Sequence, residues 1–255
     1  MALFSLRRHK RKSSHISRAD LPHLNADIPF IVKEAYSAIR TKLMFTGKGE
    51  KCPVFAVTSA FSADGKTTNA VSLAVSIAMA EKRVLLIDGD MRKPSVHRHF
   101  ALECRNGLSE ILAGLTSDVK LRKTEHQNLS VLTAGEVPPN PAELLGAKQM
   151  DTLLEYVRQF FDYVIIDTPP VNIVTDASVI AGKVTGYVIV VQSGKNHLRD
   201  VHDAVRQLES MNGNIVGLIL NDPENKAEAH GSYYYKRYYN HEQGKYYGDV
   251  PEKHK

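Results

Sequence analysis

A lysine, a threonine and three aspartates stand at spacings that suit phosphate chemistry. Thr58-Ser-Ala-Phe-Ser-Ala-Asp-Gly-Lys-Thr-Thr68 follows the apolar run Val54–Val57 and precedes a helical pattern at 66–81. Strand, loop, Gly65-Lys66-Thr67 and helix together make the setting of a phosphate-binding loop. The first turn of a helix has unpaired N–H groups and the positive end of a dipole, so it attracts polyanions. Gly65, flanked by Ala63, Asp64 and Thr68, lets the backbone approach a phosphate closely. In this reading Lys66 reaches the β- and γ-phosphates of a nucleotide, and the Thr67 hydroxyl sits on Mg²⁺. The loop has one glycine, and Ala60 stands where the pattern asks for another. The alternative is an ordinary turn between a strand and a helix.

In an open α/β sheet, ligands bind outside the carboxyl ends of the strands. Leu85-Leu-Ile-Asp88-Gly-Asp90-Met-Arg92 places Asp88 and Asp90 two residues apart just past a strand, so they point the same way in extended backbone. Val164-Ile-Ile-Asp167 ends a second strand in an aspartate, the position that commonly binds the Mg²⁺ of a nucleotide. Arg92 either steadies phosphates or pairs with a neighbouring carboxylate. His97 and His99, at i and i+2 in an expected loop, have a poor metal spacing.

The elements that must position these groups alternate. Strands are expected at 54–58, 83–88, 129–133, 163–167, 187–192 and 215–221, with helices at about 66–81, 107–114, 141–160, 175–183 and 198–212. Ile31, Val32, Ala35, Ile39 and Leu43 recur at helical spacing, so 29–46 reads as an amphipathic helix ahead of the first strand. Apolar strands joined by helical crossovers predict a mostly parallel central sheet covered by helices on both faces. The expected organisation is a basic flexible arm at 1–27, one α/β domain at 28–222 and a flexible tail at 223–255.

Composition bounds the rest. The chain has 255 residues, 43% hydrophobic and 24% charged, with a formal net charge of +5. That is enough for one sizeable α/β core. The positive excess is local: Arg7, Arg8, Lys10, Arg11, Lys12 and Arg18 occur among the first 18 residues without an acid. The cluster reads as a solvated arm, with contact to an anionic surface as the alternative. Two cysteines, far apart and in no metal spacing, suggest a reducing compartment. No apolar run approaches the roughly 20 residues that span a bilayer. The tail holds seven of eleven tyrosines: Tyr233, Tyr234, Tyr235, Tyr238, Tyr239, Tyr246 and Tyr247. No aliphatic residue falls between Ala229 and Val250, so the tail cannot nucleate a core. Basic and aromatic clusters lie at opposite ends of the chain, and no nucleic-acid partner is expected.

Taken together, these segments resemble bacterial tyrosine kinases of the capsule and exopolysaccharide family, over roughly residues 28 to 250. Gly65-Lys66-Thr67 matches the family's Walker A motif. Ile87-Asp88-Gly-Asp90-Met-Arg92-Lys-Pro94 resembles its Walker A′ motif, and Ile166-Asp167-Thr-Pro-Pro170 its Walker B. Pro138-Pro-Asn-Pro-Ala-Glu-Leu-Leu145 is similar to a family signature, and Glu34-Ala-Tyr-Ser-Ala-Ile-Arg40-Thr41 to its oligomerisation helix. The tyrosine tail resembles its autophosphorylation cluster. The family usually has Pro, Gly and Glu where Ser62, Ala63 and Asp64 stand, and Arg where Ser37 stands.

The resemblance implies a deviant P-loop NTPase fold of the MinD-like kind and ATP with Mg²⁺. A tyrosine hydroxyl has a pKa near 10 and needs both a base and a neutralised phosphate. Lys66 and Mg²⁺ would neutralise the phosphate. Thr67, Asp167 and Asp90 would hold the ion, and Asp88 would accept the tyrosine proton, although sequence cannot order Asp88 and Asp90. Glu34 and Arg40 would join copies in a homo-oligomer, expected to be a ring. The split form implies a cytoplasmic chain recruited to the membrane by a transmembrane activator, a cognate phosphotyrosine phosphatase, and room for exogenous protein substrates. Two rivals stand beside this reading. A partitioning or cell-division ATPase usually carries a second lysine early in the loop, where Phe61 and its neighbours offer none. A non-catalytic scaffold would use the basic arm and the aromatic tail alone.

Overall fold

Strands that are apolar on both faces cannot sit at a water-facing sheet, and that constraint selects the architecture here. The computed structural model describes residues 30–221 together with the backbone of Ser5–Leu6. In β2 (Val54–Ser59) and β3 (Val84–Asp88) every residue is buried. Such strands belong inside a parallel sheet with helices on each side.

Seven strands form that sheet, in the order β5 (Arg122–Lys123), β6 (Leu129–Leu132), β3, β7 (Tyr163–Asp167), β2, β8 (Gly186–Gln192), β9 (Ile215–Asn221). Every pairing is parallel except that of β5 with β6. A separate parallel pair joins β1 (Ser5–Leu6) to β4 (Asp118–Val119). The mostly parallel α/β fold expected from sequence is therefore the one observed.

Period-2 alternation splits the core in two. Phe55, Val57, Leu86 and Ile165 face α2 (Lys66–Met79), against which α1 (Phe30–Thr46) packs from outside through Leu43. Sandwiched between sheet and α1, α2 is buried almost all round. Val54, Ala56, Leu85 and Ile166 face the other way. There they meet α4 (Leu108–Leu112), α5 (Pro141–Gly146), α6 (Lys148–Val157) and α7 (Leu198–Glu209).

The differences from expectation are local. The helix expected over 141–160 is two helices, because Ala147 takes extended backbone (ψ 159) after the poor helix former Gly146. The stretch expected to be helical at 175–183 winds as a 3-10 turn, Ser178–Lys183. His97 and His99 lie in a four-residue helix, α3 (Val96–His99), not in a loop. No helix among the described residues is long and apolar enough to cross a membrane. The expected basic arm, apart from the backbone of Ser5–Leu6, and the tyrosine tail lie outside the described residues.

Tyr187 fills the core beside β8 with no exposure, and its hydroxyl donates to the carbonyl of Ala177 at 2.6 Å. Tyr187→Phe should strand that buried acceptor and cost about 1–2 kcal/mol in urea unfolding. An unchanged midpoint would show that water replaces the phenol.

Candidate active site

Parallel register decides where the carboxylates go. Asp88 and Asp167 are partners across β3 and β7, and Asp167 is in turn aligned with Val57 on β2. Side chains at matched positions of neighbouring parallel strands point to one face, with strands about 4.8 Å apart. The two aspartates therefore sit side by side at the carboxyl edge of the sheet, both wholly buried. Gly89 makes the approach possible. Its N–H donates to the Asp167 carbonyl at 2.8 Å, and a Cβ there would lie 2.9 Å from that oxygen.

The loop after β2 delivers the remaining groups. Gly65 caps α2 in the left-handed region (φ 90), and Ala63, two residues earlier in the loop, is also left-handed (φ 63). Lys66 and Thr67 then leave on the first turn of α2. The Lys66 ammonium donates to Asp90 Oδ2 at 2.8 Å, lies 3.4 Å from Thr67 Oγ1 and is 3.9 Å from Asp167 Oδ1. The Thr67 hydroxyl donates to Asp167 Oδ2 at 2.6 Å and accepts from the Ser95 hydroxyl at 3.1 Å. Asp90 Oδ1 accepts the N–H of Lys93 at 3.0 Å. Asp88 Oδ2 accepts the N–H groups of Ser95 and Val96, each at 3.1 Å. The other oxygens, Asp88 Oδ1 and Asp167 Oδ1, are buried without a hydrogen-bond partner.

Burial and crowding shape the ionisation. Burial, opposed by Lys66 and the Thr67 hydroxyl and reinforced by Asp90, pushes Asp167 up to about 6. Burial followed by the charge of Asp167 raises Asp88 well above the usual carboxylate range, against the two backbone N–H bonds. For Lys66, burial works against the charged form, but Asp167 and Asp90 outweigh it and hold the ammonium above its ordinary value. The site thus gathers three carboxylates, Asp88, Asp90 and Asp167, around one lysine.

The donor set fits a Mg²⁺ carried in with a nucleotide. It offers hard oxygens, a hydroxyl and two partnerless carboxylate atoms. No three His, Cys, Asp or Glu side chains among the described residues form a metal cage by themselves.

Comparison with known proteins places the chain in a family. An AAA domain family model matches residues 55–215. The tyrosine-protein kinase YwqD of Bacillus subtilis (strain 168) is 38% identical over 203 residues, which cover 79% of this chain and 85% of that protein. The kinase domain of the Escherichia coli tyrosine kinase ETK superposes with a TM-score of 0.71 at 34% identity, covering 80% of this chain and 85% of that domain. The chain belongs to the bacterial tyrosine-kinase family. The septum site-determining protein MinD from Pyrococcus horikoshii OT3 is more distant, at 20% identity and a TM-score of 0.56, and shares the fold alone.

Among the residues singled out from sequence, the kinase fold brings Lys66, Thr67, Asp88, Asp90 and Asp167 into one cluster, with Ala63, Asp64, Gly65 and Thr68 on the adjoining loop and turn. Arg92 does not join them. Its guanidinium forms a two-pronged pair with buried Asp176, at 2.9 to 3.2 Å, which is the carboxylate-pairing alternative for this residue. On α1, Glu34 is half-buried, and Arg40 donates to the carbonyl and hydroxyl of Ser76 within the same chain. Sequence reasoning missed Ser95, Asp176 and the residues that hold the loop from behind, Lys195, Asn196 and Asn221. Ser95 follows Pro94 seven residues after Asp88, and the only signal for it was that loop position.

The raised Asp167 has a stability consequence whose sign is fixed. Between the usual carboxylate value and about 6, the folded state keeps the proton that the unfolded state has lost, so stability falls as pH rises through that window. Asp167→Asn should therefore stabilise the nucleotide-free protein above pH 6, on the order of 2 kcal/mol, with the gain fading towards pH 4. Thermal unfolding of both proteins across that range checks it. A variant less stable than wild type at pH 7.5 would contradict it.

Proposed function

We propose that this kinase transfers the γ-phosphate of ATP to its own C-terminal tyrosines, in trans between subunits, and so regulates the synthesis and export of a capsular or extracellular polysaccharide. The observation that carries this is the pair of buried oxygens without a hydrogen bond, Asp88 Oδ1 and Asp167 Oδ1, beside Thr67 and Lys66. Such atoms need a cation and an acidic proton, and Mg·ATP with a phenol supplies both.

Thr67, Asp167 and Asp90 would hold Mg²⁺. The ion, when bound, neutralises charge on the phosphates. Lys66 exchanges its carboxylate contact for phosphate oxygens. Asp88 takes the tyrosine proton: its second oxygen has no hydrogen-bond partner, and burial makes its carboxylate more basic than usual. The helix N-terminus at Ser95–Val96 keeps that carboxylate in place.

Tyr233, Tyr234, Tyr235, Tyr238, Tyr239, Tyr246 and Tyr247 are the acceptors. Assembly into a ring through α1, with Glu34 and Arg40 at the contact, presents one subunit's tail to the next subunit's site. Seven phosphates would add roughly −10 to −14 of charge, against a formal +5 for the whole chain. The modified tail is then repelled by Asp88, Asp90 and Asp167, and the ring loosens until a phosphatase resets it. A transmembrane activator recruits the chain to the inner face of the membrane, and other proteins can serve as substrates. The MinD-like reading, a nucleotide switch without phosphotransfer, gives the tyrosines no role.

Lys66→Met and Asp167→Asn should each lower phosphotyrosine on the tail by roughly 10²-fold or more, as expected for losing a charge that stabilises the transition state. Incubation with Mg·ATP and the activator, followed by anti-phosphotyrosine blotting and mass spectrometry of the tail, measures it. Undiminished signal in both variants would defeat the assignment.

A further inference from the structure

Asp64 sets an electrostatic problem. It is wholly buried one residue before Gly65, inside the loop that the proposed reading gives to a polyphosphate. An uncompensated carboxylate there repels the ligand, and burial strengthens the repulsion. The solution comes from far along the chain. The loop between β8 and α7 sends the Lys195 ammonium to Asp64 Oδ1 at 2.7 Å and to the Ser62 carbonyl at 2.6 Å. Asp64 Oδ2 accepts from Asn196 Nδ2 at 3.1 Å and from the Phe61 N–H at 2.9 Å. Asn221, at the end of β9, donates to the Asp64 carbonyl at 3.0 Å. Asn196 is anchored in its turn by accepting the N–H of Gln192.

The same contacts answer a conformational problem. Ala63 is left-handed (φ 63), a conformation that costs a non-glycine residue about 1 kcal/mol or more. Lys195 and Asn221 grip the carbonyls on either side of it, at Ser62 and Asp64, so the backbone is held in a shape its side chain disfavours. Ser62 and Ala63 are exposed, and no packing from above does that work.

We propose that Lys195 is a positioning residue of the nucleotide site: it cancels the charge of Asp64 and holds the glycine-poor loop in its phosphate-ready shape. The proposal rests on the nucleotide reading of the loop. It adds a residue from outside every phosphate-binding motif, about 130 positions after the loop it serves.

The test is binding of Mg·ADP and Mg·ATP to the full chain by calorimetry, without turnover. Lys195→Met should weaken both nucleotides by about tenfold or more, and ATP more than ADP because it carries more charge. Lys195→Arg, which keeps the charge, should stay within about threefold of wild type. Asp64→Asn added to Lys195→Met should restore most of the loss. Lys195→Gln replaces the Met variant should that one fail to fold. Wild-type affinity in the uncharged variants overturns the inference. So does an equal loss for ADP and ATP that Asp64→Asn does not repair, since that marks packing rather than charge. A wild-type chain that binds neither nucleotide overturns the nucleotide reading itself, and the inference with it.

Discussion

The register of β3 against β7 is the constraint on which the site depends. It places Asp88 opposite Asp167 in the middle of a sheet, where neither can turn to water. Two buried carboxylates at that distance oppose each other's ionisation, and Asp90 adds to the strain. Removing them from solvent is costly, and the fold offsets that cost with few groups. Lys66 serves Asp90 and Asp167, and the first N–H groups of α3 serve Asp88. One lysine side chain therefore stands among three buried carboxylates, Asp88, Asp90 and Asp167.

Everything close to the cluster serves to hold backbone at a fixed distance from it. Gly89 lets β3 and β7 touch beyond their last paired residues. Asn69, on the second turn of α2, donates to the Gly65 carbonyl and accepts from the Tyr36 hydroxyl, each at 2.9 Å. The helix expected to meet neighbouring subunits is thereby bonded, through one side chain, to the phosphate loop. Arg40 makes a second tie between the same two helices. Tyr36 and Arg40 thus tie α1 to the helix that opens at the loop.

Much of this was legible from residues alone, for stated reasons. Continuous apolar runs made the parallel sheet legible, and Asp88, Asp90 and Asp167 stood out because three strand-end aspartates follow one phosphate-loop pattern, whereas a lone one is usually a turn residue or helix cap. Gly65-Lys66-Thr67 was legible because its flanks were a strand and a helix. What could not be read was contact across long sequence separation. Nothing near Lys195 or Asn221 in sequence announces the loop at 62–65, and only the order of β2, β8 and β9 brings them there. The pairing of Arg92 with Asp176 is of the same kind: sequence offered two partners, and tertiary placement selected one. The break at Ala147 was missed because apolar periodicity continues through it, with Leu145, Met150 and Leu153 all buried.

Burial raises Asp167 to about 6, so a cation and phosphates seated beside it should displace a proton in that pH range. Calorimetry of Mg·ADP binding at pH 5.5 to 6, repeated in buffers of different ionisation enthalpy, counts those protons. Net proton release on binding is expected near pH 6, and it should be smaller in Asp167→Asn than in wild type. Binding with no proton exchange near pH 6, or with the same release in the variant, would contradict it.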